Sequence, residues 1–235
     1  MALIQQSKYL DFLAEFGVGG AHPGGIELTK EIIKNEQINR SSRVLDVGCG
    51  TGQTAAYLAS TYGARVTGMD INPIMVDKAV SRMRSNRLPV KIVHGSVEEM
   101  PFPPQSFDLI VCESVLSFVD KPKALGEIHR VLRTGGRFIA IELTVNEPLE
   151  PKLEEEVKQF YGFESCCSKN EWVDFCRQAG FENIRIKKNK SLQSAPDFQH
   201  SKDISPELYE VMAEHYNLNL KYQEELDYRI YTCTK

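Results

Sequence analysis

Residues 44–52 read Val-Leu-Asp-Val-Gly-Cys-Gly-Thr-Gly, an apolar run that enters three glycines at alternate positions, and Asp70 closes the next apolar run. Glycines at such a turn let the backbone reverse tightly and come close to a ligand. A carboxylate at the tip of the neighbouring strand can accept hydrogen bonds from both ribose hydroxyls. The chemistry that suits this combination is the grip of a nucleoside, and the spacing narrows which kind. Pyrophosphate sites use Gly-x-Gly-x-x-Gly, whose extra residue brings a helix N-terminus onto the phosphates. Here the spacing is Gly-x-Gly-x-Gly. Asp46, inside the run, would repel a pyrophosphate, but it could hold an ammonium or, through water, the polar groups of an amino acid. The ligand expected is zwitterionic and free of phosphate.

The run resembles, residue for residue, the first motif of the class I S-adenosylmethionine-dependent methyltransferases, and the likeness extends over roughly residues 43–143. The resemblance implies that S-adenosylmethionine is the cofactor, leaving as S-adenosylhomocysteine. It implies that Asp46, Gly48, Cys49, Gly50 and Gly52 form the cofactor turn, that Asp70 holds the ribose and that Ile71 walls the adenine. The segment Gly-Ser-Val-Glu-Glu-Met-Pro-Phe at 95–102 resembles the family's Gly-Asp-Ala-x-x-Leu-Pro-Phe, which assigns Ser96 and Val97 to the adenine. Ser96 stands where the family has aspartate and supplies no carboxylate for the adenine amino group, which shifts weight to the Val97 backbone amide. Glu113 is expected at the same crevice, at the tip of the strand over residues 107–112.

Methyl transfer from a sulfonium is an in-line displacement of an already activated group, so alignment and exclusion of water matter most and a base is optional. Candidate bases at the expected mouth are His22, Glu113 and Glu142. Tyr9, Phe16, Tyr161 and Phe163 are read as core or as an aromatic rim. An Asn/Asp-Pro-Pro-Tyr turn, which serves exocyclic base amines and protein glutamine in this superfamily, is absent after residue 112, where the chain has Cys-Glu-Ser-Val. Residues 170–184 look like the closing helix and strand of its small-molecule enzymes, among them quinone, sterol and natural-product methyltransferases. The expected partner is therefore a small-molecule acceptor. The alternatives are a catalytically silent cofactor-binding regulator, a methyltransferase acting on RNA or protein, and an oxidoreductase on a similar sheet.

The elements that must position these residues follow from periodicity. Short apolar runs alternate with helical patterns, as in a parallel sheet covered on both faces. Strands are expected over residues 44–47, 65–69, 90–94, 107–112 and 137–143, with later ones at 182–188 and 228–234. Helices are expected over 51–62, 73–85 and 122–132, the last stopped by Gly135 and Gly136. The resemblance implies a doubly wound, mostly parallel α/β sheet of seven strands in the order 3-2-1-4-5-7-6 with the last strand antiparallel. One domain over residues 1–235 is expected: a helical N-terminal cap (1–42), a cofactor core (43–145) and a substrate-side region (146–235) with a helical insertion at about 189–225.

The chain has 235 residues and a formal net charge of −4. Its only dense basic stretch, residues 185–190, reads as the end of a strand, so nucleic acid is not the expected partner. No leader-like apolar segment or run of eighteen apolar residues is visible, and a cytoplasmic monomer or homodimer is expected. The six cysteines lack Cys-x-x-Cys spacing, and hard oxygen ligands are sparse, so neither a disulfide framework nor a metal is expected.

Overall fold

Tyr9, Phe12 and Phe16 share one face of the first helix, α1 (Lys8–Phe16), which opens on a Ser7 cap and closes on Gly17 in the left-handed region. In this computed structural model, which describes residues 7–188 and 197–235, the chain continues through β1 (Val18–Gly19), α2 (Gly25–Ile33), β2 (Arg43–Val47), α3 (Gln53–Tyr62), β3 (Arg65–Asp70) and α4 (Pro73–Ser85). Next come β4 (Lys91–His94), β5 (Phe107–Glu113), a 3-10 turn at Leu116–Phe118, α5 (Lys121–Val131), β6 (Leu132–Val145), α6 (Pro151–Tyr161) and α7 (Lys169–Gln178). The chain ends with β7 (Glu182–Lys187), β8 (Asp197–Phe198), α8 (Glu207–Lys221) and β9 (Leu226–Thr234).

Seven strands form one sheet in the order β4-β3-β2-β5-β6-β9-β7. The first five are parallel, and β9 runs antiparallel to both β6 and β7. This is the doubly wound arrangement expected from the sequence. Its central strands read as apolar runs because both faces are covered. One face packs Leu125, Ile128, Trp172 and Cys176 of α5 and α7. The other packs Leu28, Ile33, Ala55 and Leu58 of α2 and α3. Parallel order brings the C-terminal tips of β2, β3 and β5 to one edge, where ligands bind in such sheets.

The structure departs from expectation at α5 and adds a helix, α6. The helix over 122–132 was to be stopped by the glycine pair, but α5 ends at Val131 and Leu132 turns directly into β6, with extended dihedrals of φ −75° and ψ 136°. Gly135 and Gly136 instead bulge out of β6 and exchange backbone bonds with Lys235. The helix α6 forms where no helix is expected from periodicity. Of the two readings of Tyr9, Phe16, Tyr161 and Phe163, the structure shows core: they pack with Leu208, Val211 and Leu218 of α8 into an aromatic cluster beside the sheet. Of the insertion placed at about 189–225, residues 189–196 lie outside the described residues. The remainder holds β8, which pairs with β1, and α8. Among the described residues no helix is long and apolar enough to cross a membrane.

Candidate active site

The glycine turn leaves β2 at its C-terminal tip. Gly48 adopts φ +63°, and a β-carbon there would stand 2.3 Å from Val115 Cγ2, so nothing larger fits. Gly50, at φ +51°, faces open space, and its N–H donates to Asp70 Oδ2 at 2.8 Å. Asp70 Oδ1 accepts from the Asn72 N–H at 2.9 Å. One carboxylate at the tip of β3 thus ties the glycine turn to the start of α4. Burial raises the Asp70 pKa, opposed by these amides. Ile71 follows with 45% of its surface exposed, a large apolar residue left about half open to solvent.

The other cofactor candidates divide between side chain and backbone. Cys49 points its sulfur under Gly68, and burial pushes its thiol pKa up, so its backbone is what it offers to the turn. The Ser96 hydroxyl accepts the Glu98 N–H at 3.1 Å, which leaves its proton to donate. Val97 buries its side chain in the core. Gly52 caps α3 in a left-handed conformation.

At the tip of β5, Glu113 gathers residues from three elements. Thr29 of α2 donates to its Oε1 at 2.5 Å, and Thr54 of α3 donates to its Oε2 at 2.7 Å. His22 Nε2 stands 3.6 Å from the same Oε2 and 3.2 Å from Thr29 Oγ1. Thr29 thus bridges the carboxylate and the imidazole. Nδ1 faces the Pro23 carbonyl at 3.3 Å. The His-Pro-Gly-Gly turn starts α2, as the Gly25 N–H to His22 O bond shows, and it carries the imidazole inward to 8% exposure.

Asp46 lies beside this group, only 2% exposed, and its Oδ2 is buried without a hydrogen-bond partner. Burial first, then the Glu113 charge, pushes its pKa well above the usual carboxylate range, against the Ala55 N–H of α3. A buried, orphaned carboxylate oxygen is costly unless something donates to it.

Glu142 does not join His22 and Glu113. It is fully buried in β6, with Oε1 accepting from the Val115 and Leu116 amides at 3.1 and 3.0 Å, and Oε2 from the Ser117 hydroxyl at 3.3 Å. Burial pushes its pKa up to about 7, although these donors and the Lys121 ammonium pull it down.

Several residues absent from the sequence reading complete the site. Arg82 of α4 donates to the Thr51 carbonyl at 2.8 Å and pairs with Asp197 of β8 at 2.5 Å. Lys78 donates to the backbone oxygens of Glu15 and Gln199 at 2.9 and 2.5 Å. Together they fasten the β1–β8 ribbon over the glycine turn. Thr54 follows that turn directly and could have been found from its position. Thr29, Arg82 and Asp197 carry no local signal.

The donors and acceptors suit a phosphate-free nucleoside joined to an amino acid: a carboxylate at Asp70 of the kind a ribose needs, a half-exposed apolar side chain at Ile71, and an orphaned carboxylate oxygen at Asp46 that an ammonium could satisfy. Comparison with known proteins points the same way. A family described as a methyltransferase domain matches residues 45–140. An uncharacterised methyltransferase of Bacillus subtilis, YodH, is 34% identical over 233 residues, covering 97% of this chain and all of the relative. Among solved structures, a phosphoethanolamine N-methyltransferase of Haemonchus contortus bound to S-adenosylmethionine superposes with a TM-score of 0.78 at 19% identity. That match covers 97% of this chain and 57% of the longer Haemonchus chain. The [4+2]-cyclase SpnF superposes with a TM-score of 0.74 at 21% identity, covering 97% of this chain and 92% of its own. At such identities the two structures establish the fold alone.

Proposed function

This chain belongs to the methyltransferase family and is an S-adenosylmethionine-dependent enzyme, and from that premise we propose that it methylates a small-molecule acceptor held beneath its N-terminal segment. The observation that carries the reading is Asp46 Oδ2, buried and without a donor beside the glycine turn. The cofactor's ammonium is the donor it lacks. When bound, the sulfonium supplies a methyl group already activated for in-line displacement.

In this reading Asp70 accepts from the ribose hydroxyls while holding Gly50 in place, and Ile71 and the Val97 backbone border the adenine, with Ser96 donating its free proton. Glu113 closes the amino-acid end. The segment over residues 17–25, fastened by Arg82 and Lys78, excludes water from the reacting atoms. Where the acceptor carries an acidic proton, Glu113 is the group able to take it, and His22 fixes its orientation. The apolar neighbours Phe118, Leu143 and Phe163, packed with the aromatic core, support an acceptor with an apolar portion.

The experiment is a screen of small thiols, amines, phenols and quinols with S-adenosylhomocysteine release as readout. Release with any of them supports transfer. Tight cofactor binding with no release from any class favours the silent regulator. Asp46→Asn is expected to lower S-adenosylmethionine affinity by about tenfold in calorimetry, because the amide turns a donor toward the ammonium. His22→Ala is expected to lower turnover on the acceptor found by at least about tenfold while changing cofactor affinity by less than about threefold. Wild-type turnover in that variant reduces His22 to a turn residue.

A further inference from the structure

We propose that Glu142 is a positioning residue that sets the wall of the cofactor turn through Val115, and that it takes no part in moving a proton. The inference rests on the cofactor site assigned above. The turn after β5 cannot hold its shape unaided. Ser114 sits at φ +56°, a left-handed conformation that a non-glycine residue adopts only under external constraint, and its N–H is drawn to the Ile141 carbonyl at 2.7 Å. The next two amides, Val115 and Leu116, both point at Glu142 Oε1, and the Ser117 hydroxyl points at Oε2.

The far side of the turn is fastened as well. The Ser117 carbonyl accepts the Glu164 N–H at 2.8 Å, and the Glu164 carboxylate pairs at 2.5 Å with Lys121, which is fully buried. With both flanks fixed, Val115 presents its Cγ2 to Gly48 with no room for a single added carbon. A contact that tight transmits displacement: loss of the carboxylate lets the turn relax and lets the wall of the glycine turn move.

The groups that face Glu142 explain why it is no base. Cys112 of β5 lies 3.9 Å from Oε1, Ser117 bonds Oε2, Lys121 of α5 supplies the opposing charge, and Tyr231 of β9 is a further titratable neighbour. Unlike Glu113, which is only partly buried at the crevice, Glu142 has no exposed surface. A base has to reach the acceptor's proton.

Glu142→Gln and Glu142→Ala separate the two roles, with S-adenosylhomocysteine as the calorimetric probe and hydrogen exchange at the Val115 and Leu116 amides as a local reporter. Glutamine keeps an oxygen for both amides, so its affinity should stay within about threefold of wild type with both amides protected. Alanine should lose at least about tenfold in affinity and expose both amides. Unchanged affinity in a folded Glu142→Ala overturns the proposal, as does equal loss in both variants. Should the alanine chain not fold, Val115→Ala must reproduce the affinity loss with the carboxylate intact, and wild-type affinity there overturns it equally. Wild-type protein that does not bind the probe would count against the cofactor site itself, a separate failure.

Discussion

Asp70→Ala is expected to weaken S-adenosylmethionine binding by about 3 kcal/mol, over a hundredfold, in a chain that still folds. The size comes from two losses at one residue. A hydrogen bond from a neutral donor to a charged acceptor contributes roughly 1.5–3 kcal/mol when desolvated, and in the proposed complex Asp70 offers this to the ribose. The same carboxylate already holds the Gly50 N–H at 2.8 Å and the Asn72 N–H at 2.9 Å. On its open side Gly50 meets nothing within 4 Å of where a β-carbon would stand, so without Asp70 the turn must be ordered at the moment of binding. Asp70→Asn retains one acceptor oxygen and turns a donor toward one of the two amides, which places its loss between alanine and wild type. Titration calorimetry with cofactor and with S-adenosylhomocysteine measures both variants. Wild-type affinity in a folded Asp70→Ala would remove the ribose assignment and with it the orientation of the ligand in the crevice.

What was legible in the sequence is local. The strands β2, β3 and β5, which carry Asp46, Asp70 and Glu113 at or near their C-terminal tips, are mainly apolar because buried parallel strands need apolar side chains on both faces. The glycine turn is spelled out within a few residues. The acceptor side is built by partners far apart in the chain. Thr29 lies 84 residues from Glu113, and Asp197 lies 115 from Arg82. No periodicity encodes such pairs, since they exist only once the sheet has brought its strand tips to one edge. The sequence offers three side chains as bases, His22, Glu113 and Glu142, yet the fold separates them: His22 and Glu113 meet, while Glu142 is spent on backbone amides. The glycine pair at 135 and 136 misled for a related reason. Its meaning depends on Lys235, ninety-nine residues or more away, whose backbone completes the bulge.

Glu142→Gln is expected to stabilise the folded chain by roughly 3 kcal/mol at pH 8 and by little at pH 4. An unfolded glutamate ionises near 4.5, whereas burial pushes folded Glu142 up to about 7. Between those values the folded chain keeps a proton that the unfolded chain has released. Stability of the wild type therefore falls as pH rises through this interval, and levels off above it. Glutamine does not titrate, so the variant escapes that loss. Its advantage should grow from pH 4.5 to about 7 and then stay constant. Asp46 and Asp70, also raised by burial, are present in both chains and largely cancel in the difference. Urea midpoints across this range, at an unchanged denaturant slope, give the comparison. A glutamine chain that is less stable at pH 8 would mean that Lys121 and the turn amides outweigh desolvation, leaving the ionised carboxylate a net stabiliser. Taken with the calorimetry, one substitution then distinguishes shape from charge: cofactor affinity should depend on an acceptor oxygen at position 142, and stability on whether that oxygen carries charge.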